Sequence, residues 1–170
     1  RDTLVKDMTR YKNRIKTFLA FYGIKFPEAF LKPQSHWSKR FMDWLETIEL
    51  QQQSGSEALK ALIKESKNLR SAILDITKQI GKLSLSDSYQ SNVKLLRTIP
   101  GIGLINAMII LTELETINRY KDLDKLCAYV GLIPSTHSSG EKDISGDITS
   151  RGNRLLKKAL IESAWMTVRY

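Results

Sequence analysis

Three groups of residues in this 170-residue chain have the types and spacing for chemistry on a phosphate. Ser138-Ser139-Gly140 is flanked by His137 and Lys142, and a serine there becomes a nucleophile once a base or a metal draws off its proton. Ile99-Pro100-Gly101-Ile102-Gly103 opens an apolar run. Its two glycines after a proline make a tight turn of helix-hairpin-helix form, where Gly101 and Gly103 let backbone amides approach a phosphate at a helix start. Arg151, Arg154, Lys157 and Lys158 bracket the beginning of a last helix, with Gly152-Asn153 supplying a turn and free amides. Each group also has a plainer reading. Loop serines and a loop histidine are common turn residues, a glycine turn can simply join two packed helices, and a basic helix face can be merely solvated.

Charge points the same way. The 27 basic side chains exceed the 18 acidic ones, giving +9 and a pI near 9.7, a balance that favours polyanions. Most of the excess lies before Ser88. Over the first 25 residues Arg1, Lys6, Arg10, Lys12, Arg14, Lys16 and Lys25 are opposed only by Asp2 and Asp7, a basic helix able to lie along a phosphate backbone. Cys127 is alone, so an internal disulfide is excluded, and with only His36 and His137 beside it no zinc pattern is present. No metal site is read in this chain. The longest apolar run, Ile102 to Leu111, is interrupted by Asn106 and is far short of the roughly 20 residues that span a bilayer. No signal peptide is read, and an opening on Arg1 in mid-helix is expected of a piece of a larger protein.

These groups need a scaffold, and the pattern predicts a helical one. Leu4, Met8, Tyr11, Ile15, Phe18 and Tyr22 recur at alternating steps of four and three and end at Gly23. Leu59, Leu62, Ser66, Leu69, Ile73, Ile76, Ile80 and Leu83 make a second such seam, closed by the serine-rich stretch from Ser84 to Ser91. Between them, Trp37, Phe41, Trp44, Leu45 and Ile48 predict a short helix packed by its aromatic face, and Gln51 to Ser56 reads as a loop with Ser56 as N-cap. From Asn92 the chain reads as short helices over 92–98, 103–114 and 122–130, the last capped by Asp122 and stopped by Gly131. The second of these is apolar nearly all round and should be the buried centre. Residues 134–150 read as an exposed serine-bearing loop, with a short hairpin as a variant, and residues 152–170 as an amphipathic helix. The expectation is therefore an all-α chain: a coiled-coil-like helical region over 1–90, and a small helical domain over 91–170.

The combination resembles the C-terminal domain of the insertion-sequence one-ten, one-sixteen and nine-oh-two transposases, relatives of the Piv-type DNA invertases. The residues that carry it are Leu96 to Gly103, Ala128-Tyr129-Val130-Gly131-Leu132-Ile133-Pro134, Ser138-Ser139-Gly140, and Ile148 to Leu156 with its core Arg151-Gly152-Asn153-Arg154. The resemblance covers about the last 80 residues. The heptad helices match only in kind. It implies that Ser139 attacks a DNA phosphate and holds a strand as phosphoserine, with Ser138 the nearby rival. It implies a guide RNA that bridges target and donor DNA, and a bacterial, cytoplasmic, nucleoid-associated setting. It also implies magnesium, bound by the acidic cluster of an N-terminal RuvC-like domain whose pattern is not read here. A serine near its ordinary pKa is a weak nucleophile without positioned cations, so the chain alone is expected to bind nucleic acid without cleaving it.

Gly101, Gly103, Lys142, Arg151, Asn153, Arg154 and Lys158 are the expected nucleic-acid contacts, with DNA, a guide RNA and a second copy of the chain as partners and no membrane. Two alternatives stand beside this reading. One is a non-catalytic helix-hairpin-helix DNA-binding module in which Ser139 is a loop residue. The other is a coiled-coil adaptor whose basic face keeps it soluble.

Overall fold

The computed structural model describes residues 1–139 and 142–169, and of residues 136–139 and 142–144 it describes the backbone only. The chain is mostly helical and divides into two compact units, Arg1–Lys78 and Gln79–Tyr170.

In the first unit, α1 (Asp2–Phe21) and the long α3 (Gln53–Leu83) carry the two apolar seams. Within this unit they run antiparallel. Arg1 Nε donates to Thr77 Oγ1 at one end, and at the other Tyr22 lies so close to Gly55 that a Cβ there would stand 2.6 Å from its hydroxyl. The seams thus pair within the chain, across a third element. Helix α2 (Lys39–Glu46) starts where the Ser38 hydroxyl accepts a hydrogen bond from the Phe41 amide, and it buries Phe41 and Leu45 against Ile15, Leu19, Leu59 and Ile63. Two short 3-10 turns, Glu28–Phe30 and Pro33–Ser35, lead into it. Phe26, Phe30, Phe41 and Trp44 pack ring against ring, with Phe30 and Phe41 edge to face at 5.2 Å. His36 Nε2 donates to the Phe30 carbonyl at 2.7 Å and fixes the turn.

The third element explains two departures from a strict heptad. Leu19 and Ile63 are buried where the seams predict Phe18 and Leu62, because a helix facing two neighbours needs a wider apolar stripe than one facing a single partner. The expected loop over Gln51 to Ser56 is corrected too. Helix α3 already begins at Gln53, and Ser56 sits inside it, its hydroxyl taking the Leu50 amide rather than capping the helix. Gly55 suggests a loop by composition, but its missing side chain is what admits Tyr22.

In the second unit, α4 (Gln90–Leu96), α5 (Leu104–Leu114), α6 (Leu123–Val130) and α7 (Arg154–Arg169) follow the predicted spans closely. The Asp122 carboxylate accepts from the Lys125 amide, and Gly131 at φ +83 ends α6 with paired bonds to the Cys127 and Ala128 carbonyls. Helix α5 is the centre, burying Ala107, Met108 and Ile110 against α4 on one side and Val130 and Leu156 on the other. The last turns of α3 belong with this unit, since Ile80 packs against Val93; this places the division at Lys78, ahead of the expected position near residue 90.

Of the two readings of residues 134–150, an exposed serine-bearing loop or one with a short hairpin, the structure takes the hairpin: β1 (Pro134–Ser139) pairs antiparallel with β2 (Lys142–Ile148). Serine, aspartate and glycine hide the pattern by favouring turns, whereas the chain's pairing with itself satisfies the backbone. Among the described residues no helix is long and apolar enough to cross a membrane.

Phe41 is completely buried at the meeting of three helices, so Phe41→Ala should cost about 3–5 kcal/mol in urea unfolding of the full chain. Leu83, a predicted seam residue that is 48% exposed, should cost within about 0.5 kcal/mol as Leu83→Ala.

Candidate nucleic-acid interface

The second unit is assembled on α7 by contacts that only glycine permits. Gly101 has φ +87, and a Cβ on it would stand 2.3 Å from the Ser163 carbonyl oxygen and 3.0 Å from Met166 Cβ. The turn between α4 and α5 therefore lies directly on the α7 backbone. Thr167 Oγ1 donates to the Pro100 carbonyl at 2.6 Å, and Asn106 Nδ2 donates to the buried Ser163 hydroxyl at 3.0 Å. Gly101 was expected to approach a phosphate. Its close approach is to α7, so its functional reading gives way to packing. Gly103 differs: at the start of α5, with ordinary extended backbone, it has nothing within 4 Å of its Cβ position and remains exposed.

A second backbone contact forms at the other end of α7. A Cβ on Gly131 would stand 2.1 Å from the Arg151 carbonyl oxygen, and one on Gly152, at φ +104, would stand 2.6 Å from the Gly131 amide nitrogen. The glycines of the two motifs are mutual packing partners. Asn153 follows, and its residue is consumed by the fold. Its side-chain oxygen accepts from the Leu156 amide at 3.0 Å, capping α7, while Nδ2 donates to the Glu113 carboxylate and its backbone amide donates to the Tyr129 carbonyl at 2.9 Å. The free amides expected at Gly152-Asn153 are thus committed in part to Tyr129, and Asn153 holds the helix start in place rather than offering its side chain to a phosphate.

What this junction leaves outward is arginine. Arg151 and Arg154 are exposed on either side of Asn153. Lys157 turns back, its Nζ donating to the Thr149 carbonyl at 2.7 Å, and Lys158 lies 3.8 Å from Glu162. Thr149 also donates its amide to the Ile133 carbonyl at 2.9 Å, which ties the base of the hairpin to the same junction. From that base the ladder runs through His137 opposite Ile144 and Ser138 opposite Asp143 to Ser139 opposite Lys142. Ser139 and Lys142 are therefore paired across the hairpin, though their side chains lie outside the described residues, as do Gly140 and Glu141 altogether.

Sequence reasoning missed Arg119. It follows α5, which ends at Glu115 with φ +54, a conformation few non-glycine residues adopt. Glu115 pairs with Arg119 at 3.3 Å, and the guanidinium lies 4.9 Å from the ring centres of both Tyr120 and Tyr129. Tyr129 also donates to the Glu113 carbonyl and touches Asn153, so it joins Arg119 to the start of α7. No spacing rule pairs residues 119 and 129, and the only sequence signal was Tyr129 within its motif. The expected sites do not all converge. Gly101 meets α7 at Ser163, whereas Arg154 lies nine residues earlier, about 14 Å along the helix.

Residues 93–170 match a transposase family. The family model is that of the IS116/IS110/IS902 transposases. The transposase for insertion sequence element IS1111A of Coxiella burnetii is 29% identical over 175 residues, covering all of this chain and 45% of that protein. The transposase for insertion sequence element IS1328 of Yersinia enterocolitica is 29% identical over 173 residues, covering 96% of this chain and 46% of that protein. The chain spans less than half the length of these relatives. No solved structure is a significant match to it. The hairpin and the α7 junction both fall inside the segment that the family model matches.

The two glycines of the PGIG turn separate packing from ligand contact. Gly101→Ala should lose about 2 kcal/mol or more of stability, from its positive φ and the Ser163 carbonyl in its way. Gly103→Ala, with open space around it, should lose less than about 1 kcal/mol, both read by urea unfolding.

Proposed function

We propose that this chain is the part of a DNA transposase that grips DNA and supplies the serine for strand cleavage and rejoining. The observation that carries this reading is the family match over 93–170, within which the paired ends of the hairpin, Ser139 and Lys142, rise from the same junction that exposes Arg151 and Arg154. The arginines hold the backbone phosphates, since a guanidinium can donate two parallel hydrogen bonds to one phosphate. Lys158, beside Glu162, is a secondary contact, and Gly103 offers a close approach at the start of α5.

In the chemical step, Ser139 Oγ attacks the phosphorus of a DNA phosphodiester and its proton passes to a base. The bond from phosphorus to one deoxyribose oxygen breaks, that oxygen leaves as a hydroxyl, and the strand is held as a phosphoserine ester. Attack of a deoxyribose hydroxyl on the ester reverses the step and rejoins the strand to a new partner. Phosphoryl transfer needs cations around the phosphate, and Lys142, opposite Ser139 in the ladder, and Arg151 supply them in this chain. Among the described residues no group of three histidine, cysteine, aspartate or glutamate side chains could hold a metal ion. The magnesium implied by the family resemblance therefore finds no donor set among these residues. A guide RNA and a second copy of the chain complete the assembly, in the bacterial cytoplasm at the nucleoid.

The coiled-coil adaptor finds less support, because the two seams face each other and α2 within the chain. The helix-hairpin-helix module finds less as well, because Gly101 faces α7.

Binding of the full chain to a labelled duplex should weaken steeply with salt. Arg151→Ala with Arg154→Ala should lower affinity about tenfold and reduce the log-log salt slope by about 1.8, two phosphate contacts' worth. Salt-insensitive binding, or no effect of the double change, sinks this reading. For the chemistry, a denaturant-resistant protein–DNA adduct in transposition-competent protein should vanish in Ser139→Ala and persist in Ser138→Ala; the opposite pattern moves the nucleophile to Ser138.

A further inference from the structure

The first unit holds a cleft of about 710 Å³ that the transposase reading does not use. Its floor is apolar, formed by Val5, Met8, Met42 and Ile73, and its rim carries Lys12, Lys39, Lys67 and Arg70 against the single acid Asp43. Lys67 is paired with Glu46 outside the cleft. Lys12 and Arg70 have no carboxylate partner among the described residues. Both converge on Trp37: Lys12 Nζ lies 5.4 Å from the ring centre, and the Arg70 guanidinium donates to the Trp37 carbonyl at 3.4 Å. Trp37 itself has φ +67, rare for a bulky residue and tolerated where the surroundings hold it. Burial, then Arg70, then Lys16 lower the pKa of Lys12 below the usual lysine range. Two converging cations with no carboxylate between them, Lys12 partly desolvated and Arg70 exposed, are an unfavourable arrangement that a bound anion relieves.

We propose that this cleft takes an unstacked nucleotide of a single-stranded nucleic-acid segment, with its phosphate between Lys12 and Arg70 and its base against Met8, Met42 and Ile73. The volume exceeds what a bare phosphate fills and falls in the range of small-ligand sites. An apolar floor below a cationic rim matches a ligand with an apolar plane and one negative charge. A duplex keeps its bases stacked and paired, so only an unpaired or extruded nucleotide presents both together. That the anion belongs to nucleic acid rests on the proposed function; the site's charge and shape do not.

The test is fluorescence anisotropy of the full chain with three labelled probes: a ten-nucleotide oligothymidylate, an abasic strand of the same length and charge, and a twenty-base-pair duplex. Oligothymidylate should bind at least about fivefold more tightly than the abasic strand. Lys12→Gln with Arg70→Gln should weaken oligothymidylate binding about tenfold or more and flatten its salt slope by about 1.4. It should leave duplex affinity within about twofold, with a thermal midpoint at or above that of the parent protein because like charges have been removed. Leu74→Glu, which adds an acid at an exposed rim position without touching the core, should weaken oligothymidylate binding comparably. Lys25→Gln with Lys32→Gln, outside the cleft, is the charge-matched control. Equal binding of the oligothymidylate and abasic strands overturns the proposal, as does a loss shared equally by the control pair. Absence of duplex binding in the parent protein counts against the proposed function alone.

Discussion

The second unit depends on three places where a backbone meets a backbone with no side chain between. Gly101 on Ser163, and Gly131 against Arg151 and Gly152, are contacts that a single methyl group would block. Because glycine alone fits, the two turns that precede and follow the central helices are clasped to opposite ends of α7, and α5 is trapped beneath. The hydrogen bonds then follow from the geometry. Asn106 reaches Ser163 and Thr167 reaches Pro100 only because the PGIG turn lies flat on the helix. Each bond alone contributes about 1 kcal/mol, but a steric block at Gly101 would separate all of them together.

The same clasp decides which groups face outward. Committing Asn153 to the cap, Lys157 to Thr149 and Glu113 to Asn153 removes the short and flexible polar groups from the surface of the junction. Arg151 and Arg154 remain, flanking a residue that cannot rotate away. Their spacing is set by the backbone rather than by side-chain choice, which is how a rigid element holds a phosphate contact in register. The first unit works differently. Its aromatic core around Phe41 is buried and packed ring against ring, yet beside it Lys12 and Arg70 are held in an electrostatically poor position by Trp37. A well-buried core can hold such an arrangement in place, and one kept beside a cleft is where ligand binding returns free energy.

Local signals in the sequence were enough for most of the helices. Asp122 and Gly131 mark α6 because an N-cap and a left-handed C-cap are single-residue effects, and α5 shows itself by being apolar on every side. The aromatic stripe from Trp37 to Ile48 reads as core for the same reason. Signals that depend on a distant partner were illegible. Gly101 looks like a phosphate turn until α7, more than sixty residues on, is seen lying against it. Gly55 looks like a loop until Tyr22 is found opposite, and serine and glycine left the hairpin only a variant of the loop reading, because their turn preference competes with cross-strand pairing. Of the site, the arginines were legible as charge, whereas Arg119 on its two tyrosines and the cleft around Trp37 required the fold.

The motif residues inside the matched segment thus divide by physics. Gly101, Gly131, Gly152 and Asn153 are explained by packing and capping inside the chain, so their identity follows from the fold alone. Arg151 and Arg154 have no such explanation, because nothing described in the unit's own packing requires an exposed guanidinium at either position. Residues that a fold does not need for itself are the ones to assign to a ligand. In this unit that remainder is a cationic helix start tied through Thr149 to the base of the hairpin, and on the proposed function it is the part that holds a phosphodiester.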